Sequence, residues 1–141
     1  MSFQFKLIEK QDINCIIPLM QKLTNNANSD AVLKERFAEM VTQNYECAGV
    51  YEGDTLIGMS GMWFQTRHYV GRSMEVDHVF IEEKYRGNGL GKLFFIWLYD
   101  YAKSKGCTTC ELNTYVQNYP SHKFYYNEGF EILGYHFLKK L

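Results

Sequence analysis

The chain has 141 residues, of which 46% are hydrophobic and 16% aromatic, and this composition suits one domain with a packed core over residues 1–141. Its formal net charge is −1, so no global charge draws it to nucleic acid or to an anionic membrane, and a small ligand is the better expectation. No apolar run reaches the roughly 20 residues that a membrane span needs.

Cysteine usage indicates the compartment. Cys15, Cys47, Cys107 and Cys110 occur in a chain that starts without a hydrophobic signal segment, so we expect a reduced, cytoplasmic protein without a disulfide framework. Cys107 and Cys110 have the spacing of half a zinc site or of a redox pair. The other two cysteines lie singly and far away, so no metal site is expected.

The first part of the chain predicts one strand and two helices. Phe3, Phe5 and Leu7 alternate with polar residues, as in a strand. Asp12 is placed to cap the first helix, and residues 25–30 separate it from the second. The apolar positions at helical spacing are Ile13, Ile16, Ile17, Met20 and Leu23 in the first helix and Leu33, Phe37, Met40 and Val41 in the second.

Three strands are predicted next, at 45–51, 55–64 and 73–81, and they read as an antiparallel meander. A turn at Glu52-Gly53-Asp54 favours a hairpin between the first two strands. In the third strand the apolar alternation changes phase near Asp77 and His78, which a β-bulge would explain.

The remaining chain predicts a helix, a strand, a helix and a strand. The first of these helices begins near Leu90, keeps helical spacing for three turns and ends at Gly106. A strand follows at 110–114, a helix at 121–127 and a final strand at 130–138.

The most informative stretch is the loop at 86–91, which reads Arg-Gly-Asn-Gly-Leu-Gly between a predicted strand and a predicted helix. Backbone amides at a helix start lack intrahelical partners and lie at the positive end of the helix dipole, and glycines leave them accessible to an anion. A plain turn is the alternative reading of three glycines in six residues.

This arrangement resembles the acyl-CoA-binding core of the GNAT superfamily of N-acetyltransferases, whose pattern is Gln/Arg-x-x-Gly-x-Gly/Ala. Arg86, Gly89 and Gly91 match every specified position. Glu83 departs from the family, because proline is common there.

A second family pattern, Asn-x-x-Ala-x-x-Phe/Leu-Tyr-x-x-x-Gly-Phe, is similar to residues 118–130, with Ser121 in place of alanine. The resemblance implies an α+β fold, an α/β sandwich with a mixed central sheet, an antiparallel N-terminal meander, about four flanking helices and a splay after the fourth strand. The end of the chain shows a weaker resemblance to members such as the aminoalkylphosphonate and aminoglycoside acetyltransferases.

The resemblance implies acetyl-CoA as the acetyl donor. Loop amides with two basic side chains would hold the pyrophosphate, and the preceding strand would hold the pantetheine arm through its backbone, with one amide facing the thioester oxygen. Helix capping is the alternative role for Asn118. The residues expected to contact acetyl-CoA are Val79, Phe80, Ile81, Arg86, Gly87, Asn88, Gly89, Leu90, Gly91, Lys92 and Asn118.

The resemblance also implies catalytic candidates. Tyr125 matches the tyrosine that commonly protonates the departing thiolate, and core packing is its alternative role. Asp77 matches an acidic position that takes the amine proton directly or through water. Glu75 lies on the same strand face and is a second candidate. Either carboxylate could instead recognise a cationic substrate or lie on a solvated sheet edge.

We therefore expect an acetyl-CoA-dependent N-acetyltransferase that acts by direct transfer on the primary amine of a small molecule. The alternatives are a non-catalytic acyl-CoA sensor or interaction module and a protein or peptide N-acetyltransferase. Arg67, His68 and Arg72 would suit an anionic acceptor such as an aminophosphonate, whereas Glu75 and Asp77 would suit a polyamine or an aminoglycoside. No nucleic acid or membrane partner is expected, and a homodimer is left open.

Overall fold

Five strands and four α-helices make up the part of the chain that the computed structural model describes, residues 2–141. The strands are β1 (Phe3–Ile8), β2 (Tyr45–Glu52), β3 (Thr55–Arg67), β4 (Gly71–Ile81) and β5 (Thr109–Leu112). The helices are α1 (Ile17–Thr24), α2 (Asp30–Met40), α3 (Leu90–Ser104) and α4 (Tyr119–Asn127), with 3-10 helices at Lys10–Ile16 and Glu83–Tyr85.

The strands form one mixed sheet in the order β1-β2-β3-β4-β5. Each neighbouring pair from β1 to β4 is antiparallel, and β5 runs parallel to β4. The predicted α+β class, the N-terminal meander and the number of flanking helices are therefore confirmed.

Each face of the sheet is covered by helices, and the core has one part on each side. On one face, α3 contributes Phe94, Phe95 and Leu98, which pack with Met62, Met74 and Val76 of the sheet. On the other face, the N-terminal helical segment and α2 pack against Tyr45, Cys47, Met59 and Phe80. Successive side chains of a strand point to opposite faces of the sheet. Each side chain of β4 therefore lies either on the α3 face or on the α2 face.

The start of the first helix differs from the prediction. Residues Lys10–Ile16 form a 3-10 helix, Asp12 lies inside it rather than at its N-cap, and α1 begins only at Ile17. Pro18 explains the boundary, because a proline ring has no N–H for an α-helical bond and fits only the first helical turn. None of the helices within residues 2–141 has both the length and the apolar character needed to cross a bilayer.

The predicted bulge lies in β4. Met59 of β3 pairs with Phe80, but Gly61 pairs with Asp77, so His78 and Val79 together face the single residue Ser60. His78 has a φ of 39°, in the left-handed region that non-glycine residues rarely adopt. The bulge turns the His78 side chain to the α2 face, next to that of Asp77.

The sheet opens between its last two strands. β4 pairs with β5 only from Ser73 to Val76, opposite Thr109 to Leu112. From Asp77 to Ile81, β4 keeps β3 on one side and has no strand on the other. This is the expected splay after the fourth strand.

Two predictions at the end of the chain are wrong. β5 stops at Leu112, two residues before the predicted limit, and residues 130–138 form no strand within residues 2–141. Gly129 ends α4 with a φ of 94°, as predicted for a helix stop. A strand needs a neighbour for its ladder, and no strand in the described part of the chain pairs with the segment that follows.

Candidate active site

The glycine loop presents unpartnered amides at the start of α3. Gly87 and Gly89 have φ values of 82° and 84°, and a methyl group on either would meet nothing within 4 Å, so the space above the loop is open. Leu90 N is bonded only to Asn88 Oδ1, at 3.3 Å. Within residues 2–141, no acceptor meets the backbone amides of Gly87, Asn88, Gly89, Gly91 and Lys92.

The two basic residues of the loop are placed differently. Arg86 donates from Nε to Ile81 O at 2.7 Å, and its guanidinium lies 5.0 Å from the centre of the Phe80 ring. These contacts hold the Arg86 side chain along the end of β4. Lys92 is exposed on the first turn of α3, where its ammonium is free to meet an anion.

The loop, the end of β4 and α4 meet at Gly91. A methyl group at this position would lie 3.6 Å from Phe124 Cε1 and 4.0 Å from Ile81 Cδ1. The two sequence motifs, which are separated by about thirty residues, are thus brought together at the splay. Val79 and Ile81 pack on the α3 face of the sheet, and Phe80 packs on the α2 face.

Tyr125 lies in the aromatic contact between α3 and α4. Its ring centre is 6.0 Å from that of Phe95 and 5.8 Å from that of Phe130. Its hydroxyl has no hydrogen-bond partner within residues 2–141. Burial raises the pKa of the phenol, with a smaller contribution from Cys110 of β5, so Tyr125 keeps its proton at neutral pH.

Asp77 is the accessible carboxylate of β4. Its Oδ2 accepts from Trp63 Nε1 at 3.1 Å, and its Oδ1 accepts from the backbone amide of His78 at 2.8 Å. The residue is exposed on the α2 face of the sheet. The bulge and Trp63 therefore fix the orientation of a carboxylate that remains open to solvent.

Glu75 lies on the same face, as alternation predicts, but its oxygens are occupied. Oε1 accepts from Arg67 Nη2 at 3.0 Å, and Oε2 accepts from Asn113 Nδ2 at 3.3 Å. Arg67 also pairs with Glu111 of β5, which Tyr69 contacts at 2.9 Å. Burial acts to raise the pKa of the Glu111 carboxyl, but side-chain hydrogen bonds and the charge of Arg67 outweigh it, so that this pKa is lowered. Glu75 is thus part of a network that joins β3, β4 and β5.

The three basic residues at and beside the turn between β3 and β4 do not form one anion site. Arg67 is paired with the two glutamates of that network. Arg72 donates from Nε to Lys105 O at 2.8 Å, at the end of α3. His68 lies against the ring of Tyr69.

His78 lies next to Asp77 in the bulge and has a hydrogen-bond partner that the sequence did not predict. Its Nε2 lies 2.7 Å from the Tyr45 hydroxyl, and its ring contacts Phe37 of α2. Its Nδ1 is buried and has no hydrogen-bond partner among residues 2–141. Burial lowers the pKa of the imidazole, with the Asp77 charge opposing the effect. A Cβ added to Gly61 would lie 2.3 Å from His78 Nε2, so only glycine leaves room for this ring.

Asn118 directly precedes α4. Its side chain makes no capping bond, and its backbone carbonyl accepts from His122 N at 3.2 Å. The capping alternative for the side chain is therefore wrong. His122 Nε2 lies 2.8 Å from Tyr115 O, so this histidine joins α4 to the loop before it.

An open groove of about 560 Å³ lies between α1 and the end of β4. Lys22 and Glu82 form an ion pair of 2.6 Å at this groove. Gln21 is held there by bonds from its Nε2 to Asn28 O and Asp30 Oδ1. The lining residues are Gln21, Lys22, Asn25, Asn26, Phe80, Glu82, Glu83 and Arg86.

Comparison with known proteins defines the class. The profile of the "Acetyltransferase (GNAT) family" matches residues 16–130, which include the glycine loop, the splay and α4. The chain belongs to this family and is an N-acetyltransferase.

Individual relatives are distant. The chain is 22% identical over 133 residues to the aminoalkylphosphonate N-acetyltransferase of Salmonella typhimurium, covering 93% of this chain and 86% of that protein. The ribosomal-protein-alanine N-acetyltransferase of Brucella melitensis superposes with a TM-score of 0.81 at 17% identity, over 99% of each chain. AAC(6')-Iy, in complex with the bisubstrate analogue CoA-S-monomethyl-acetylneamine, superposes with a TM-score of 0.81 at 16% identity, over 100% of this chain and 99% of that one.

Proposed function

We propose that the protein transfers the acetyl group of acetyl-CoA directly to the primary amine of a small molecule, with no covalent enzyme intermediate. The observation that carries this proposal is the set of five unpartnered amides at the start of α3, which lies beside the open edge of β4. A helix start with accessible amides binds phosphate groups, and an unpaired strand edge binds an extended amide chain.

The donor fits these two features. The amides from Gly87 to Lys92 would bind the pyrophosphate, with Arg86 and Lys92 adding positive charge. The edge from Val79 to Ile81 would pair with the pantetheine arm, and the Asn118 amide, which caps nothing, is available to the same arm. Acetyl-CoA supplies the thioester, and an amide near Val79 or Phe80 would stabilise the oxyanion formed during transfer.

Tyr125 is the proposed general acid. Its proton is retained at neutral pH because burial raises the pKa of the phenol, and its hydroxyl has no competing partner within residues 2–141. The hydroxyl would donate its proton to the thiolate as the thioester carbon–sulfur bond breaks. The aromatic contacts with Phe95 and Phe130 would hold the ring in place during this step.

Asp77 is the proposed general base. It is exposed, and Trp63 and the bulge orient it, so it can take a proton from the amine directly or through one water. Glu75 is less suited to this role, because Arg67 and Asn113 occupy its oxygens. Its proposed contribution is to hold the network beside the acceptor site.

The acceptor amine is proposed to lie on the face of β4 that carries Asp77 and Glu75. The charges on this face are of both signs, because Arg67 lies there between Glu75 and Glu111. The Salmonella relative acts on aminoalkylphosphonates according to its name, and such a molecule carries an amine and an anion. A protein or peptide acceptor is the second candidate, because the Brucella neighbour is named for a ribosomal protein.

The four cysteines are all free, which supports the proposed cytoplasmic location. We further propose that the protein acts as a homodimer.

Calorimetric titration with CoA and acetyl-CoA tests the donor proposal. The wild type should bind both, and Gly89→Glu should lose binding, because its carboxylate would repel the pyrophosphate and its side chain would obstruct the amides. Gly53→Glu is the matched control, since Gly53 also has a positive φ of 59° and open space around it, in the hairpin turn. Absence of binding by the wild type would refute the proposal.

Turnover requires a separate test. A panel of aminophosphonates, polyamines, aminoglycosides and peptides with free amines is incubated with acetyl-CoA, and the released thiol is measured. A small-molecule acceptor should release thiol above background. Release with peptides alone would support the second candidate, and CoA binding without release for any acceptor would favour a non-catalytic acyl-CoA sensor.

A further inference from the structure

One row of the sheet carries three side chains whose buried polar atoms lack a partner. Gln65 of β3 pairs with Ser73 of β4, and Ser73 pairs with Thr109 of β5. Gln65 Nε2, Ser73 Oγ and Thr109 Oγ1 are buried and have no hydrogen-bond partner within residues 2–141. Ser73 is 0% exposed, and its hydroxyl lies near the Glu111 carboxylate without a bond to it. Buried polar atoms almost always have partners, so these three residues, the polar row, need a partner from another molecule.

The polar row lies on the same face of the sheet as Asp77. Ser73, Glu75 and Asp77 alternate along β4, so their side chains point to one face. The four residues of strand from Asp77 to Ser73 span about 13 Å. Glu75 and Glu111 form the next row toward Asp77. Polar side chains therefore continue from the proposed base to the polar row on one face of the sheet.

The side chain of Arg67 covers the polar row. Strand register puts Arg67 opposite Gly71, on one side of Ser73, and Glu75 lies on the other side of Ser73. Arg67 nevertheless bonds to Glu75 Oε1 at 3.0 Å and to Glu111 Oε2 at 3.4 Å. To reach both carboxylates, the arginine side chain must extend across Ser73, which explains why the serine hydroxyl is closed to water.

This cover is weakly held. The side chain of Arg67 is 39% exposed, and those of Glu75 and Glu111 are 23% and 21% exposed. Ion pairs that are partly open to water contribute little to stability, because water competes for the charges. A buried polar atom without a partner is costly by comparison. Displacement of Arg67 therefore loses little, and it gives a ligand access to the polar row.

The chemistry of the polar row selects a hydroxyl group as its ligand. Gln65 Nε2 can only donate a hydrogen bond, whereas the hydroxyls of Ser73 and Thr109 can donate and accept. A ligand hydroxyl does both, so it can pair with each of the three. An ammonium group could not accept from Gln65. An anion is less suited, because the two nearby glutamates outnumber the one arginine.

We propose that the polar row is a second acceptor subsite, which binds a hydroxyl group of the acceptor about 13 Å from the amine that reacts at Asp77. Arg67 is the cover that the acceptor moves aside. The acceptor is thus an extended primary amine that carries a hydroxyl group at its far end. This inference rests on the proposed transfer to a small amine, and it adds the chemical class of that amine.

A matched pair of acceptors tests the subsite by thiol release. Both are linear primary amines of one length, and the first carries a hydroxyl group about 13 Å from the nitrogen where the second carries a methyl group. The hydroxylated amine should have a KM about tenfold lower, with a similar kcat. Equal KM values, or turnover of other amines but not of this pair, would overturn the subsite and leave the proposed acetyl transfer standing. Absence of turnover with every amine would refute the proposed function and the subsite with it.

Variants assign the effect to the polar row. Thr109→Val should remove most of the preference for the hydroxylated amine and keep the KM of its methyl analogue. It should also stay as stable to urea as the wild type, because Thr109 Oγ1 has no bond to lose within residues 2–141. The adjacent Thr108→Val is the matched control, which loses a bond to Val70 O and should keep the preference. Arg67→Met removes the cover and should strengthen the preference. If Thr109→Val does not fold, Ser73→Ala replaces it. A preference that survives in the variant of the row would overturn the proposal, and so would one that Arg67→Met leaves unchanged.

Discussion

The hydroxyl of Tyr45 lies 2.7 Å from Nε2 of His78, and the two side chains meet beneath the bulge that carries Asp77. Tyr45 is 1% exposed and belongs to β2, whereas His78 belongs to β4, so this contact reaches across β3. Gly61 of β3 makes the reach possible, because any Cβ there would overlap the imidazole. The contact between buried Tyr45 and half-buried His78 therefore supports the bulge.

Removing the Tyr45 hydroxyl should destabilise the fold. In Tyr45→Phe the half-buried His78 ring loses the hydroxyl it contacts, which costs about 1–3 kcal/mol in the free energy of unfolding. Urea denaturation followed by circular dichroism measures it. Tyr69→Phe is the control, because the Tyr69 hydroxyl is bonded but exposed, and its loss should stay within about 0.5 kcal/mol. Equal effects in the two variants would contradict the role of this contact.

Stability should fall in mildly acidic solution because of His78. Burial lowers its pKa in the folded state, so below about pH 6.5 the unfolded chain binds a proton that the folded chain does not, and stability is lost as pH falls. The slope contributed is up to about 1.4 kcal/mol per pH unit. His78→Asn, which tolerates the positive φ, should flatten the dependence measured by urea denaturation between pH 5 and 7.5. The control His136→Gln, at an exposed histidine, should leave the slope unchanged.

Tyr125→Phe should lower kcat by about 10²-fold or more, because general acid catalysis contributes about 10²–10⁴ and the phenylalanine cannot protonate the thiolate. The KM for acetyl-CoA should change little, since the ring packing is kept. Steady-state assays by thiol release measure both quantities. The neighbouring Tyr126→Phe, whose ring is 57% exposed, serves as the control and should behave as wild type. Similar activity in both variants would show that Tyr125 only packs.

Isosteric variants of Asp77 and Glu75 should change different kinetic constants. Asp77→Asn removes the proposed base and should reduce kcat by about 10²-fold or more. Glu75→Gln keeps an acceptor for Arg67 and should act mainly on the KM for the amine. Assays across pH at saturating acetyl-CoA measure both effects, and the basic limb of the kcat profile should rise in Asp77→Asn, as hydroxide replaces the base. The reverse order of the kcat losses would assign the base to Glu75.

Sequence alone predicted the strands of the antiparallel meander and the position of the glycine loop, because each depends on alternation or on local glycine chemistry. The splay was expected only from the family resemblance. Alternation also placed Glu75 and Asp77 on one face. Alternation could not indicate that Arg67 and Asn113 bond to Glu75. Nor could it indicate that Trp63 orients Asp77, since all these contacts depend on strand register. The Tyr45–His78 contact links residues 33 positions apart across a bulge, and no local pattern encodes it.

The wrong predictions for the first helix and the last strand have physical causes of different kinds. The α-helix begins at Ile17 and not after Asp12, because Pro18 has no N–H and fits only the first helical turn. Residues 130–138 have the composition of a strand, but composition does not indicate which edge of a sheet a segment pairs with.

The opening between β4 and β5 has a consequence for solubility. An unpaired strand edge on the outside of a sheet invites the strands of other proteins, and association follows. Here the unpaired stretch from Asp77 to Ile81 continues a strand whose first half is paired with both β3 and β5. Only a short length of strand edge is therefore open to pairing, which limits the template that a strand of another protein could use.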